Sequence, residues 1–154
     1  MTEPIIKPID FVLRHLNLYP PFVGAGIRSK ISRDHRRIEV WMKLRWYNLN
    51  AVGTHFGGSL YAMCDPWFML ILIKALGANY IVWDKSATIR FLRPGRGTVR
   101  AIFEIPQTTI DDIRARADAG EKIEPLFTVD ICDAQSQVVA QVEKLLYVRK
   151  KKAA

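Results

Sequence analysis

The chain has 154 residues, of which 49% are hydrophobic and 25% charged, and its formal net charge at pH 7 is +8. This length and composition predict one domain with a sizeable core and exclude a disordered chain. The longest wholly apolar run, residues 66–73, is far shorter than the roughly 20 residues of a membrane-spanning helix. The N-terminus has prolines and an acid where a signal peptide would have basic and apolar segments, so we expect a cytoplasmic protein.

Half of the net charge comes from residues 149–152, Arg-Lys-Lys-Lys, which we interpret as a solvated end. The rest of the chain is mildly basic and favours anionic partners such as phosphate groups. Nucleic-acid binding is a remote alternative, because the sequence has no zinc-finger spacing, RNP-like segment or helix-turn-helix pattern. Cys64 and Cys132 lie in apolar runs without metal-binding spacing, so we expect buried free thiols and no metal site.

The first part of the chain predicts a helix and two strands. Residues 5–18 carry apolar side chains at helical spacing, and Pro20 and Pro21 are expected to end this helix. Residues 22–32 alternate imperfectly between apolar and polar side chains and predict a strand. Residues 36–46 alternate cleanly and predict its antiparallel partner.

The centre of the chain is an apolar segment at residues 50–77. The Gly57-Gly58 pair allows the backbone to approach another group closely, and Ser59 is expected at the N-cap or in the first turn of a helix. Apolar side chains follow on nearly all faces, so this helix of about 18 residues should lie in the middle of the fold and end at the last glycine. Asp65 is the polar residue most out of place in it.

The second half predicts four strands and one polar helix. The strands are expected over residues 80–93, 98–105, 126–133 and 137–149, and the helix from 109 to 120. In the first of these strands, Ile81, Trp83, Ala87, Ile89 and Phe91 are expected on one face.

This order of elements predicts an α+β fold in which an antiparallel sheet wraps around one long apolar helix. A single sheet cannot cover such a helix on all sides, so we expect at least a dimer. We divide the chain into an N-terminal helix and lead-in (1–21), a single domain (22–149) and a basic tail (150–154).

The residues around the central helix match a known family. The pattern Asn-x-x-Gly-Thr-x-x-Gly-Gly, an acid seven residues after the second glycine, and a strand ending in Phe-Leu-Arg-Pro resemble the hotdog-fold acyl-CoA thioesterases of the phenylacetate type. The resemblance extends over residues 22–149 and is closest to the uncharacterised thioesterase-like branch. The matching positions are Asn50, Gly53, Thr54, Gly57, Gly58, Asp65 and residues 91–94.

The resemblance implies a dimer or tetramer that hydrolyses an acyl-CoA or acyl-carrier thioester. The N–H of Gly58 would bind the carbonyl oxygen as it becomes negative, and Asp65 of the neighbouring subunit would activate water or attack the acyl carbon. Asn50 would orient the water or the carbonyl, and His55 could hydrogen-bond the substrate. Coenzyme A enters as part of the substrate, with no separate cofactor. The residues expected to bind it are Gly57, Lys85, Arg90, Arg93 and Arg96.

Most of these residues also have a structural interpretation. Asp65 is followed by Pro66, and Asp-Pro is also how a helix begins, in which case the helix would extend only over residues 66–76. Asn50 and His55 are also typical of turns, and the arginines are typical of a solvated surface.

Two departures from the family's pattern leave an alternative function open. The family usually has histidine where this chain has Phe56, and it lacks the proline that follows the acid here. The alternative is a binding module that holds an acyl chain or coenzyme A without effective catalysis. Apolar residues of the helix, Met63, Trp67 and Phe68, hint at a medium or aromatic acyl group.

Overall fold

The computed structural model describes residues 8–152, which form five α-helices and six β-strands. The helices are α1 (Ile9–His15), α2 (Pro20–Ala25), α3 (Gly57–Ala62), α4 (Trp67–Leu76) and α5 (Gln107–Asp118), and a 3-10 turn (Leu16–Leu18) follows α1. The strands are β1 (Ile27–Ile31), β2 (Arg37–Lys43), β3 (Tyr80–Phe91), β4 (Thr98–Glu104), β5 (Leu126–Cys132) and β6 (Val138–Lys150). The strands and the polar helix predicted after residue 36 are therefore present, with small shifts at their ends, and the central helix is present in two parts.

The six strands form one antiparallel sheet in the order β1-β2-β4-β5-β6-β3, and α4 packs on it. The ring of Phe68 lies 5.1 Å from that of Phe103 on β4 and 4.9 Å from that of Phe127 on β5. Each large apolar side chain buried in this way contributes about 1.5–3 kcal/mol. Six side chains of α4 are buried: Trp67, Phe68, Leu70, Ile71, Leu72 and Leu76. The predicted α+β fold, a sheet around a central apolar helix, is confirmed.

The central helix is divided into α3 and α4 by a turn at residues 63–66. Pro66 has no N–H and cannot continue the α-helical hydrogen bonds, and the N–H of Cys64 donates to the Tyr61 carbonyl at 2.8 Å instead. The predicted central helix is present, but this turn interrupts it. The alternative, a helix only over residues 66–76 with Asp65 as its N-cap, matches the start of α4 but not the rest, since α3 precedes α4 and no side chain of the described residues, Asp65 included, caps α4.

By length and composition alone, residues 57–76 could cross a membrane. They form 20 residues of mean hydropathy 1.4, a property that the longest uninterrupted apolar run did not reveal. Half of this stretch is buried inside the fold, as the core helix of a compact domain would be.

The segment between α1 and β1 differs from the prediction. Residues 22–25, expected in a strand, belong to α2, and Pro20 and Pro21 begin this helix instead of ending one. Proline is favoured in the first turn of a helix because its missing N–H would have no partner there. Gly26, with φ 75°, ends α2, so the strand begins only at Ile27.

The helix predicted over residues 5–18 is confirmed for residues 9–18, as α1 and the 3-10 turn, and residues 5–7 of it lie outside the described residues. Leu13 and Leu16 are buried in the same core as α4, so the N-terminal lead-in packs on the domain. Residues 1–7 and 153–154 lie outside the described residues.

The prediction that one face of β3 continues along the whole strand is wrong, because the strand contains a bulge. Asp84 pairs with Leu146 and Ser86 with Leu145, so Lys85 is an extra residue in the β3–β6 ladder. Before the bulge Asp84 faces the interior, whereas Trp83, predicted on the same face as Ala87 and Ile89, is 56% exposed.

Candidate active site

A cavity of about 550 Å³ opens at the start of α3. Two loops form its wall, one before α3 and one between β3 and β4, and its volume is typical of a small-molecule site. Five of the residues predicted to form the site line this cavity: Asn50, His55, Gly57, Arg93 and Arg96. Residues 91–96 thus meet residues 50–57, which are distant in the sequence.

Asn50 fixes the loop before α3. Its Oδ1 accepts hydrogen bonds from the backbone N–H groups of Val52 at 3.1 Å and Thr54 at 3.0 Å. Its Nδ2 donates to Thr54 Oγ1 at 2.9 Å and to the His55 carbonyl at 3.3 Å. The amide is therefore engaged within the loop, and the role in orienting water or substrate that was predicted for Asn50 would require one of these bonds to be exchanged.

His55 connects the two loops that line the cavity. Its Nε2 lies 2.9 Å from the Gly97 carbonyl, and its backbone N–H donates to the Gly95 carbonyl at 3.0 Å. Burial lowers the pKa of His55 below its ordinary value, against the effect of the hydrogen bond to Gly97. A neutral ring with the proton on Nε2 leaves Nδ1 as an acceptor, and this buried atom has no partner among the described residues.

Aromatic rings cover the two glycines that begin α3. A Cβ on Gly57 would lie 3.0 Å from Cζ of Phe91, and a Cβ on Gly58 would lie 2.5 Å from Cε1 of Phe56. No side chain of the described residues caps α3, so the first N–H groups of this helix are available to a ligand. Phe56, which replaces the histidine of the family's pattern, lies next to the predicted oxyanion donor.

The structure separates the four cations that were predicted to bind phosphate. Arg93 and Arg96 line the cavity, and the Arg93 guanidinium donates to Gln137 Oε1 at 2.9 Å. Lys85 and Arg90 lie on β3 away from the cavity lining. There they pair with glutamates, Lys85 with Glu124 at 2.5 Å and Arg90 with Glu143 at 3.8 Å. Arg93 and Arg96 are therefore the stronger candidates for a phosphate contact.

Asp65 lies in the turn between α3 and α4, and its side chain is 52% exposed. Its Oδ1 accepts hydrogen bonds from the Tyr61 hydroxyl at 2.7 Å and from Lys144 Nζ at 3.0 Å. Its Oδ2 accepts none from the described part of the chain. One oxygen of the carboxylate is therefore held in place while the other is free.

Behind Asp65, Lys144 extends from β6 into the interior. Its Nζ also pairs with Asp84 Oδ2 at 3.0 Å. Burial alone would lower the pKa of Lys144, but hydrogen bonds to Asp65, Tyr61 and Asp84 outweigh it and raise this pKa. Burial also raises the pKa of Asp84, against its hydrogen bond to Lys144, and the pKa of Cys64. Lys144 is thus an enclosed ammonium group.

Sequence reasoning missed Lys144, although a signal was present. Every second residue of β6 faces the core, and Lys144 occupies an inward position between Val142 and Leu146. A lysine at an inward position predicts a buried partner of opposite charge. One of its partners, Asp65, is 79 residues away in the chain, so no residue near Lys144 indicates which carboxylate it pairs with.

Asp65 also lines a second cavity, of about 600 Å³, between the N-terminal helices and α4. Apart from Asp65 and His15, its wall is largely apolar and includes Val12, Pro66 and Met69. The apolar residues that hinted at an acyl group do not form this wall. Met63, Trp67 and Phe68 are buried in the core.

Asp65 and Gly58 do not face one cavity within a single chain. They are seven residues apart in the sequence, with Gly58 in the first turn of α3 and Asp65 in the turn that follows this helix. Asp65 lines the second cavity and is not among the residues that line the first, where α3 begins.

The chain belongs to the family described as a domain of unknown function, DUF4442, whose model matches residues 11–148. No curated protein matches the sequence.

Solved structures with high similarity share the fold. PA5026 from Pseudomonas aeruginosa, a protein of unknown function described as a "probable thioesterase", has a TM-score of 0.81 at 21% identity, and the match covers 94% of this chain and 97% of that one. Thioesterase HI1161 from Haemophilus influenzae has a TM-score of 0.66 at 16% identity, with coverage of 97% and 96%. A candidate thioesterase from Shewanella oneidensis has a TM-score of 0.67 at 18% identity, with coverage of 91% and 95%. These similarities confirm the predicted hotdog fold.

Proposed function

We propose that the protein hydrolyses an acyl-CoA or acyl-carrier thioester at a site between two copies of the chain. Its fold is that of proteins described as thioesterases, and its sequence carries the family pattern from Asn50 to Pro94. Fold alone does not assign an activity, so the proposal depends on the residues of the site.

The separation of Gly58 from Asp65 carries the proposal. Each chain has an uncapped helix start beside one cavity and a half-exposed carboxylate beside another, so the two groups do not line one cavity within a single chain. A second copy that places its Asp65 opposite Gly58 would complete two equivalent sites. This is the arrangement that the family resemblance implies.

The surface of the chain supports such a pairing. Strand β3 lies at an edge of the sheet and pairs only with β6 within the described residues, so the backbone groups of its other edge are available. Large apolar side chains are exposed on β3 and around the first cavity: Val52, Phe56, Trp83, Phe91 and Leu92. Exposed apolar patches of this kind are typical of subunit interfaces.

Two chemical routes fit the site. In the first, Asp65 Oδ2 takes a proton from water as the water oxygen attacks the acyl carbon, the C–S bond breaks, and the thiolate receives that proton. In the second, the carboxylate attacks the acyl carbon, thiolate leaves, and water hydrolyses the resulting anhydride. In both routes the N–H of Gly58 would stabilise the oxygen that becomes negative, an effect worth roughly 10²–10³ in rate.

The two cavities would hold different parts of the substrate. Arg93 and Arg96 would bind phosphate groups of coenzyme A or of a carrier's phosphopantetheine at the first cavity. The second cavity, next to Asp65, is large enough for a medium-chain or aromatic acyl group, and its wall is mostly apolar.

A binding module without effective catalysis is the second candidate function. The observation that favours it is Phe56, which stands where the family usually has histidine and whose ring lies against Gly58, the proposed oxyanion donor. Both functions predict binding of a thioester, so turnover distinguishes them.

The test measures thiol release from short, medium, long and aromatic acyl-CoAs by the wild type and by Asp65→Asn. The matched control is Asp112→Asn, which removes an exposed carboxylate on α5. If the protein is a hydrolase that uses Asp65, turnover should disappear in Asp65→Asn while the oligomer stays intact, and it should persist in Asp112→Asn. Binding of acyl-CoA without turnover by any of the three proteins would favour the binding module, and an absence of binding would exclude both functions.

A further inference from the structure

Lys144 is a buried charge in the middle of the apolar face of β6. Its side chain is 1% exposed, and its neighbours on the same face, Val142 and Leu146, belong to the core. A buried ammonium group loses its hydration, and an apolar side chain of similar volume often gives a more stable fold. Core packing therefore gives no reason for a lysine at this position.

The ammonium group makes three contacts, which match its three N–H donors. Its Nζ lies 3.0 Å from Asp65 Oδ1, 3.0 Å from Asp84 Oδ2 and 3.2 Å from the Tyr61 hydroxyl oxygen. The ionisable groups that face it are thus Tyr61, Asp65 and Asp84, with the Cys64 thiol behind them. Two carboxylates share one cation.

These contacts orient Asp65. Its Oδ1 receives hydrogen bonds from both Lys144 and Tyr61, whereas its Oδ2 receives none from the described residues. The carboxylate is therefore fixed in rotation, and Oδ2 is the oxygen that remains available. Asp65 lies in the turn between α3 and α4, so without these bonds its side chain would have no hydrogen-bond partner among the described residues.

We propose that Lys144 is the positioning residue of the active site: from the buried face of β6 it holds Asp65 by Oδ1, so that Oδ2 is presented to the thioester. This inference rests on the proposed function and extends it by a residue that touches neither substrate nor reacting atoms. Tyr61 supports the same oxygen, and Asp84 anchors the ammonium group from the other side.

Lys144→Met tests the proposal because methionine keeps much of the volume of the lysine stem and removes its charge. We expect kcat to fall about 10- to 100-fold, the loss typical of a misplaced catalytic group, while KM changes less than about twofold. The matched control is Lys74→Met, which removes a lysine of α4 from its ion pair with Asp10 and should leave both constants unchanged.

A second variant distinguishes a loss of activity caused by misplacing Asp65 from one caused by misfolding. In Lys144→Met the buried Asp84 loses its cation, whereas in Lys144→Met/Asp84→Asn that charge is removed as well. The double variant should regain the thermal stability that the single variant loses. Its kcat should stay as low as that of the single variant. A kcat near that of the wild type in either folded variant would overturn the proposal.

A measurement without turnover separates this inference from the proposed function. In protein labelled with ¹⁵N-lysine, the enclosed Lys144 should give a slowly exchanging ammonium signal, which disappears in Lys144→Met and moves in Asp65→Asn. If the wild type hydrolyses no thioester but this signal responds to Asp65→Asn, the proposed function fails and the anchoring of Asp65 stands. If the signal does not respond, the anchoring is wrong whether or not the protein is an enzyme.

Discussion

The aromatic ring of Phe56 lies directly over Gly58 at the start of α3. A Cβ on Gly58 would be 2.5 Å from Cε1 of that ring, closer than two carbon atoms can approach without movement. The ring is 55% exposed and can rotate away without disturbing the core. The two residues should therefore be coupled in stability.

A double-mutant cycle measures this coupling. In the wild-type background, Gly58→Ala gains helix propensity but must displace the ring of Phe56. In the Phe56→Ala background the same substitution meets no ring. We expect Gly58→Ala to raise the free energy of unfolding by about 0.5 kcal/mol more in the second background, as measured by urea denaturation. Equal effects in both backgrounds would show that the ring does not cover Gly58 in solution.

His55 should make stability depend on pH. Its pKa is lowered in the native state by burial, so as the pH falls the unfolded chain binds the proton first. Stability should therefore decrease as the pH falls from about 7 through the ordinary histidine value of 6.5 and should level off below the native pKa. Each unit of difference between the two pKa values corresponds to about 1.4 kcal/mol.

His55→Gln isolates this contribution because glutamine can still donate to the Gly97 carbonyl. Thermal unfolding between pH 5 and pH 8 should show a shallower dependence in this variant than in the wild type. The control, His15→Gln, changes an exposed histidine of α1 and should retain the dependence that His55 causes. An unchanged slope in His55→Gln would contradict the assignment.

Strand β3 should form the interface between two copies. Trp83 and Phe91 are more than half exposed on this edge strand, and a second β3 could pair with its free edge. We expect a dimer in analytical ultracentrifugation, and Trp83→Glu should convert it to a monomer because charge disfavours burial in an interface.

The matched control for this interface is Leu126→Glu, which places the same charge at an exposed apolar residue of β5. It should leave the dimer intact. A wild-type monomer at high concentration, or dissociation by Leu126→Glu alone, would argue against an interface at β3.

The alternation of apolar and polar residues was enough to predict the strands from β2 to β6, because it follows the alternation of buried and exposed faces along a strand. It failed where a tertiary contact decided the outcome. The bulge at Lys85 turns Asp84 inward towards Lys144, and no residue near Asp84 signals this. The weak alternation of residues 22–25 indicates a strand and the two prolines indicate a helix end, but Pro20 and Pro21 begin α2.

The candidate site was predictable in a different way. The resemblance pointed to Asn50, Gly57 and Arg96 together, and the fold does bring these three residues to one cavity. It also pointed to Asp65 but gave no sign of the contacts that fix its side chain. Those contacts join α3, the turn after it and β6, so they depend on how distant parts of the chain pack together.

The second cavity should set the length of the preferred acyl group. Met69 of α4 lies in its wall near Asp65, and Met69→Trp would fill part of its volume of about 600 Å³. One methylene group in an apolar pocket is worth about 1–3 kcal/mol, so kcat/KM for medium and long acyl-CoAs should fall at least about tenfold while short acyl-CoAs react as before. Met69→Leu, which conserves volume, is the control and should keep the wild-type profile. A uniform loss across all chain lengths in Met69→Trp would place the acyl group elsewhere.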